Sequence, residues 1–227
     1  MNEHIVVITG STAVPDAVAS RVPHHAIILG VDAGLDHALA AGLRPSGLIG
    51  DLDSISDDGL AWAEEHATIA RHPTDKDRTD TELALAVAAD MSPSRITLVG
   101  GGDRLDHTIA ALAALGAPNL TSVPTIDAWW GDQHLDVLHG PGRRTLRLVP
   151  GSTLSILAVG HRCRSVTISG VRWPLDEARL DPTIGLGVSN EVTDPEGTVE
   201  IGTADSVLTV FNRPLDEPTD DHTEVIL

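Results

Sequence analysis

Aspartates recur at one kind of place in this 227-residue chain, directly after short apolar runs. Asp32 follows AIILGV, Asp51 and Asp53 follow GLIG in GDLDS, and Asp103 and Asp106 follow RITLVG in GGGDRLDH. A further group, Asp75, Asp77 and Asp80, surrounds Lys76 in TDKDRTD. Any one of these taken alone reads as a solvated turn former. Four clusters together argue for convergence, because ligands of open α/β sheets bind at the carboxyl ends of the strands. Converging carboxylates repel: two unit charges about 4 Å apart interact by roughly 4 kcal/mol at an effective dielectric of about 20. A cation is therefore expected among them. Oxygen donors without a Cys or His set at zinc spacing favour Mg²⁺, which completes its shell with water and substrate phosphates. Lys76 and Arg104 are then phosphate partners. The chemistry expected is that of a Mg²⁺–polyphosphate site.

Composition sharpens the interest in Lys76. Of 15 basic residues 14 are Arg, Asp outnumbers Glu by 23 to 10, Tyr is absent and Phe211 is the only Phe. A coding bias accounts for most of this usage, but a lone Lys kept within TDKDRTD also fits a need for a compact point charge. The net charge of −18 makes nucleic acid an unsuitable partner. No apolar run approaches a membrane span; Ile109–Leu115 is among the longest. MNEHIVVITG has neither a basic start nor a long apolar stretch, so no secretory leader is expected. With Cys163 alone no internal disulfide is possible, and a cytoplasmic location is expected.

Other phosphate and hydrolase signatures are missing. There is no Walker A sequence, no GxGxxG after a strand, no GxSxG and no HExxH. Gly100-Gly101-Gly102 before a helix could present backbone amides to phosphate, or could be a plain tight turn. Several residues have simpler roles. Thr79 to Glu82 spells a capping box, and Asp103 can cap the helix containing His107. His24, His25, His66 and His72 lack ligand spacing and are expected at the surface. Trp62 is expected to pack on a helix. Trp129 and Trp130, adjacent on a strand, face opposite ways, one toward a core and one toward an interface or ligand.

The elements that must position these residues divide the chain in two. Up to about residue 115, β-rich runs (Ile5–Thr9, Ala26–Val31, Gly47–Gly50, Ala67–Ala70, Arg95–Gly100) alternate with helical stretches (Leu35–Ala41, Asp57–His66, Thr81–Ala89, Leu105–Leu115). That pattern predicts an α/β domain with a mostly parallel sheet covered on both faces. After Pro118 come short strands separated by Gly, Pro and Asp turns: Thr145–Leu148, Thr153–Val159, Ser165–Ser169, Thr198–Ile201 and Ser206–Phe211. These predict an all-β sandwich or small barrel. The expected division is an α/β domain over 1–140, a β domain over 141–213 and an acidic tail over 214–227, with the boundary near 139–144. No internal repeat is present.

These segments resemble, in order, the motifs of the thiamine pyrophosphokinase (thiamine diphosphokinase) family. VDAGLDHALAAGLRPSGLIGDLDSI is similar to its Asp-Gly-Gly start and its Pro-Asp-x-x-x-Gly-Asp-Phe-Asp-Ser motif. DKDRTDTELAL resembles Lys-Asp-x-Thr-Asp-x-Glu-x-Ala-Leu, and GGGDRLDH resembles Gly-Gly-Arg-x-Asp-His. GVRWPLDEARL followed by GLGVSNE resembles the Gly-Leu-Lys-Tyr-Pro-Leu and Ser-Asn-Glu segments of the thiamine-binding domain. The resemblance implies a homodimer whose chains join an α/β catalytic domain to a thiamine-binding β-sandwich, with thiamine near the subunit interface. It implies transfer of the terminal diphosphate of ATP to the thiamine hydroxyl, with release of AMP.

By the same resemblance Asp32, Asp51, Asp53 and Asp80 are the Mg²⁺–triphosphate carboxylates, and Lys76 and Arg104 neutralise phosphate. Asp106 binds or orients within the site, Gly101 and Gly102 adjoin ATP, and Ser189 and Asn190 reach thiamine with Trp173 beside it. A core role for Trp173 at a strand end is the competing reading. Three residues depart from the family pattern: Ala33 replaces a glycine, Asp36 stands where Asn is common, and Asp103 replaces a glycine. The added charge of Asp103 predicts a lower apparent KM for Mg·ATP in Asp103→Gly. Two other functions remain open: a related pyrophosphokinase acting on another alcohol such as a hydroxymethyl pterin, and a catalytically silent nucleotide-binding regulator.

Overall fold

A computed structural model describes residues 3–102 and 104–212. The chain divides into two compact units, one ending at Gly131 and the other beginning at Asp132. In the first unit β1 (His4–Ile8), β2 (Ile27–Val31), β3 (Gly47–Gly50), β4 (Thr68–Arg71), β5 (Arg95–Gly100) and β6 (Thr125–Trp130) lie in the order β6-β5-β1-β2-β3-β4. Every pair is parallel. The connecting helices are α1 (Asp16–Ala19), α2 (Gly34–Ala40), α3 (Asp57–His66), α4 (Asp80–Asp90) and α5 (Leu105–Ala114).

Ile5, Val6, Val7 and Ile8 are each at most 1% exposed, so β1 is covered on both faces as its unbroken apolar run requires. The strand order runs outward from β1 to β4, then returns to β1's other side at β5. That reversal opens a crevice at the carboxyl ends of the central strands, where an α/β sheet places its ligands. Two helix starts near this edge are well capped. Thr79 and Glu82 form a full capping box at α4, with Glu82 N–H on Thr79 Oγ1 at 3.2 Å and Thr79 N–H on Glu82 Oε2 at 2.8 Å. At α3 the Gly59 amide donates to Ser56 Oγ at 2.9 Å. Asp103 lies outside the described residues; the N-cap position of α5 is Arg104, whose side chain makes no capping bond.

The parallel pattern extends one strand further than the sequence suggested. β6 pairs with β5 over six residues, although its Asp127 interrupts the apolar run. Asp127 is fully buried; its Oδ2 accepts from Arg95 at 2.5 Å and its Oδ1 from Thr97 Oγ1 at 2.6 Å. Trp129 and Trp130 are both half-buried. The Arg21 guanidinium lies 5.0 Å from the Trp129 ring, and the Trp130 ring fills the space where a side chain on Gly100 would begin.

The second unit contains β7 (Gln133–His139), β8 (Gly142–Arg147), β9 (Thr153–Ala158), β10 (Cys163–Ser169), β11 (Leu175–Leu180), β12 (Asn190–Glu191), β13 (Thr198–Thr203) and β14 (Val207–Asn212). They form two antiparallel groups, β12-β9-β14-β7 and β11-β10-β13-β8. Alternate residues such as Leu154, Ile156, Val166, Ile168, Val199, Ile201, Leu208 and Val210 meet in one apolar core, which makes this a β-sandwich. The division falls earlier than the expected 139–144, because β7 pairs with β14 along its length and so belongs here. The acidic segment 214–227 lies outside the described residues. Among the described residues no helix is long and apolar enough to cross a membrane.

Candidate active site

Three of the four aspartates expected to converge do so. Asp32, Asp51 and Asp80 each offer a carboxylate oxygen, and these oxygens lie within 4.8 Å of one another. Two come from strand exits and the third from a helix start. Asp32 follows β2 with φ of 48°, a conformation stabilised where its amide donates to Ile49 O at 3.1 Å. Its Oδ1 accepts the Leu52 amide at 3.0 Å and occupies the space a Cβ on Gly50 would need. Asp51 directly follows β3. Asp80 opens α4, one residue after its N-cap.

Lys76 lies between two of the three. Its Nζ is 3.0 Å from Asp80 Oδ2 and 3.4 Å from Asp51 Oδ2, with all three side chains less than one-fifth exposed. One ammonium cannot offset three carboxylates, and the protonation pattern reflects that. Asp32 is pushed up to about 6, chiefly by burial and further by the charges of Asp80, Asp51 and Asp53, against the Leu52 amide. Burial works to raise Asp51 too, but the Asp53 amide and the Lys76 ammonium outweigh it and hold the carboxyl below its usual value. Burial works to lower Lys76, whose bonds and attraction to Asp80 and Asp51 instead hold it above the usual lysine range.

Asp80 Oδ1 is buried without a hydrogen-bond partner among the described residues. A buried carboxylate oxygen left bare beside two other carboxylates is what an absent hard cation would leave behind. The donor set is all oxygen, so the residues fit Mg²⁺.

The remaining expected residues fall differently. Asp53 is exposed and outside the triad; its amide donates to Asp51 Oδ1 at 3.3 Å. The turn between Asp51 and Asp53 is made at Leu52, with φ of 67°. Arg104 and Asp106 form an exposed ion pair at 2.8 Å, in which the guanidinium holds the Asp106 carboxyl below its usual range. Gly101 and Gly102 have φ of 156° and 121°. The Gly101 amide is not available to phosphate here, since it donates to Ser11 Oγ at 3.2 Å; that hydroxyl also lies 2.7 Å from Thr9 Oγ1. Thr9 and Ser11, which hold the glycine run at Gly101, were passed over by the sequence reading, though hydroxyls in TGST directly after β1 were the available signal.

His72 also departs from its expected place at the surface. It follows β4, its amide donates to Gly50 O at 2.8 Å, and its Nε2 is buried without a partner among the described residues. His24, His25 and His66 are exposed as expected. His66 stacks on Trp62 at 4.8 Å, and Trp62 packs against the group around Leu35, Leu48 and Ala63.

In the second unit Asn190 is buried and bonded through both ends of its side-chain amide. Its Oδ1 accepts the amides of Trp173 and Glu191, both at 3.0 Å, and its Nδ2 donates to Trp173 O at 2.8 Å. Asn190 therefore fixes the main chain of Trp173 through both its amide oxygen and its amide nitrogen. Trp173 is 56% exposed, with the Arg172 guanidinium 5.0 Å from its ring centre, so it is not a core residue. Ser189, with φ of 60°, is exposed beside it, its amide donating to Ser155 Oγ at 3.0 Å.

Comparison with known proteins agrees with both units. Residues 18–125 match the model for the thiamin pyrophosphokinase catalytic domain, and residues 143–208 match that for the thiamin pyrophosphokinase vitamin B1 binding domain. A thiamine pyrophosphokinase of Bacillus subtilis is 27% identical over 190 residues, covering 82% of this chain and 86% of the relative. The fold is also that of solved structures. The crystal structure of thiamine pyrophosphokinase from Bacillus subtilis has a TM-score of 0.76 at 23% identity, covering 93% of this chain and 99% of that one. Thiamin pyrophosphokinase from Candida albicans has a TM-score of 0.76 at 14% identity, covering 93% of this chain and 89% of that one. With a catalytic-domain match over the carboxylate triad and a binding-domain match over Trp173 and Asn190, the chain belongs to the thiamin pyrophosphokinase family of enzymes.

Proposed function

We propose that this enzyme transfers the terminal diphosphate of ATP to the hydroxyl of thiamine, giving thiamine diphosphate and AMP. The observation that carries the reading is the triad of Asp32, Asp51 and Asp80 with Lys76 lodged against two of its members. The hydroxyl oxygen forms a bond to the β-phosphorus, the bond from that phosphorus to the α,β-bridging oxygen breaks, and one proton is released. Such a displacement needs positioning and charge stabilisation rather than a covalent protein nucleophile.

Asp32, Asp51 and Asp80 would hold Mg²⁺, and the charge of Asp53 would add to the attraction for the ion. The ion supplies charge neutralisation to the triphosphate. Lys76 places a point charge where phosphate oxygens approach the triad, and Arg104 can exchange Asp106 for phosphate because both side chains are exposed. Gly101 and Gly102 adjoin the nucleotide. Trp173 and Ser189 would contact thiamine, with Asn190 holding the tryptophan's main chain. An electron-rich ring suits the cationic thiazolium, and the net charge of −18 favours its approach.

Self-association into a homodimer is supported by Ile184, Leu186 and Val188, each about half exposed in the connection that leads to Ser189. Catalysis is assigned to the cytoplasm, consistent with a single cysteine.

The deciding experiment measures AMP release by purified protein with Mg·ATP, with and without thiamine, and with EDTA as control. Thiamine-dependent and metal-dependent AMP with matching thiamine diphosphate is the expected outcome. ATP binding without AMP under any condition overturns it in favour of a silent regulator. AMP formed only with another alcohol, such as a hydroxymethyl pterin, reassigns the acceptor.

A further inference from the structure

The five residues from Asp32 to Asp36 hold the loop between β3 and α3 at both of its ends. At the near end the Asp32 carboxylate accepts the Leu52 amide and fills the place of a side chain on Gly50. At the far end Asp36 Oδ2 accepts the Ser56 amide at 2.8 Å, and Asp36 Oδ1 accepts the Ser56 hydroxyl at 2.6 Å. Ser56 Oγ accepts in turn from the Gly59 amide, and Asp36 Oδ1 occupies the space where a side chain on Gly59 would begin. Two glycines that bracket one loop are therefore each vacant for an aspartate of the same short segment.

Asp51 lies within the near hold, between Gly50 and Leu52, and the loop that leaves it turns at Leu52 in the left-handed region before it is held again at Ser56. Such a turn is uncommon outside glycine and persists where its surroundings enforce it. The Leu52 amide secures one side of it. Ser56 is the next residue beyond it whose amide and side chain are both bonded to another element.

We propose that Asp36 is a positioning residue for the metal triad, fixing the far end of the 51–56 loop through both polar groups of Ser56 and so keeping Asp51 in place. The inference rests on the triad being a Mg²⁺ site. A carboxylate serves well here because both of its oxygens accept, the bonds are charge-assisted, and its charge faces the N-terminus of α3. Asparagine could keep both contacts with one reversed: its Oδ1 would take the Ser56 amide and its Nδ2 would donate to Ser56 Oγ. Alanine could keep neither.

The test measures Mn²⁺ binding by electron paramagnetic resonance on the full chain, with melting temperature recorded alongside. Asp36→Ala is expected to weaken Mn²⁺ binding about tenfold, as loss of charge-assisted bonds implies. Asp36→Asn is expected to stay within about twofold of the parent. Gly59→Ala is the independent probe: its methyl displaces the Asp36 carboxylate while alanine favours the α3 helix, so Mn²⁺ binding weakens without loss of fold. A role confined to α3 stability lowers the melting temperature of Asp36→Ala and leaves its Mn²⁺ affinity equal to the parent's, which overturns the inference. Parent-like affinity in Gly59→Ala overturns it as well, whatever becomes of Asp36→Ala. If the parent itself binds no Mn²⁺, the metal reading of the triad fails and this inference with it, a result distinct from equal affinities.

Discussion

The carboxylate of Asp32 stands where a side chain on Gly50 would have to begin. Gly50 has φ of +151°, so two independent requirements, conformation and space, exclude other residues there. Gly50→Ala is expected to cost about 1–3 kcal/mol of stability and to displace Asp32 from the triad. Calorimetric Mg²⁺ titration together with thermal melting checks this; Mg²⁺ affinity equal to the parent's rejects it.

Protonation of Asp32 sets a pH dependence. Its carboxyl titrates near 6 when folded and near 3.8 otherwise. A raised carboxyl favours the folded state at low pH, so its contribution is complete below about 3.8 and is lost as pH rises through about 6. Metal-free protein is therefore expected to lose stability from this group between those values, and Mg²⁺ to restore it. Protons also compete with the ion, so Mg²⁺ affinity should rise from pH 5 to 7. Melting curves against pH, with EDTA and with Mg²⁺, test both signs; Asp32→Asn should flatten the EDTA curve.

Lys76 is the one ammonium side chain available to the triad. Lys76→Met leaves Asp51 and Asp80 without their shared partner and should lower kcat/KM for Mg·ATP by about 10²–10³-fold. Lys76→Arg is not expected to rescue it, because a planar fork cannot occupy a point between two carboxylates in the same way. Steady-state kinetics of the two variants decide; an Arg variant with parental activity removes the point-charge argument.

Asn190 predicts a split between substrates. Asn190→Ala leaves both the amide and the carbonyl of Trp173 without their partner, at about 1–3 kcal/mol. It should raise the KM for thiamine at least about tenfold while leaving that for ATP unchanged. Equal effects on the two KM values, measured with the other substrate saturating, contradict this placement of Trp173.

Much of the fold is legible in the residues because burial leaves a simple trace. β1, β2 and β3 contain short unbroken apolar runs, β5 is broken only by Thr97, and Thr79 with Glu82 announces the start of α4 in four letters. The strands that are hard to find lack such a trace. β11, LDEARL, exposes most of its length and carries charge on it, while β6 contains a buried aspartate whose partners come from the neighbouring strand. In the site, Asp32 and Asp51 are marked by their positions after strands, and Asp80 by its place within the capping box. The exclusion of Asp53 is not, since it depends on the left-handed turn at Leu52. The bonds of Asp36 to Ser56, twenty residues away, and the buried Nε2 of His72 depend on tertiary placement, which a local pattern does not carry.

Asp80 reaches the triad because it is the first residue of α4, one step beyond a capping box that fixes where that helix begins. Each residue of an α-helix turns the next by about 100°. Insertion of one residue between Thr79 and Asp80 would swing the carboxylate away from Asp32 and Asp51 although no residue type had been lost. An extra residue ahead of Pro73 would only lengthen an exposed connection. Tolerance to insertion should therefore change abruptly along this segment, and the phase of one helix is as much a part of the site as the acids themselves.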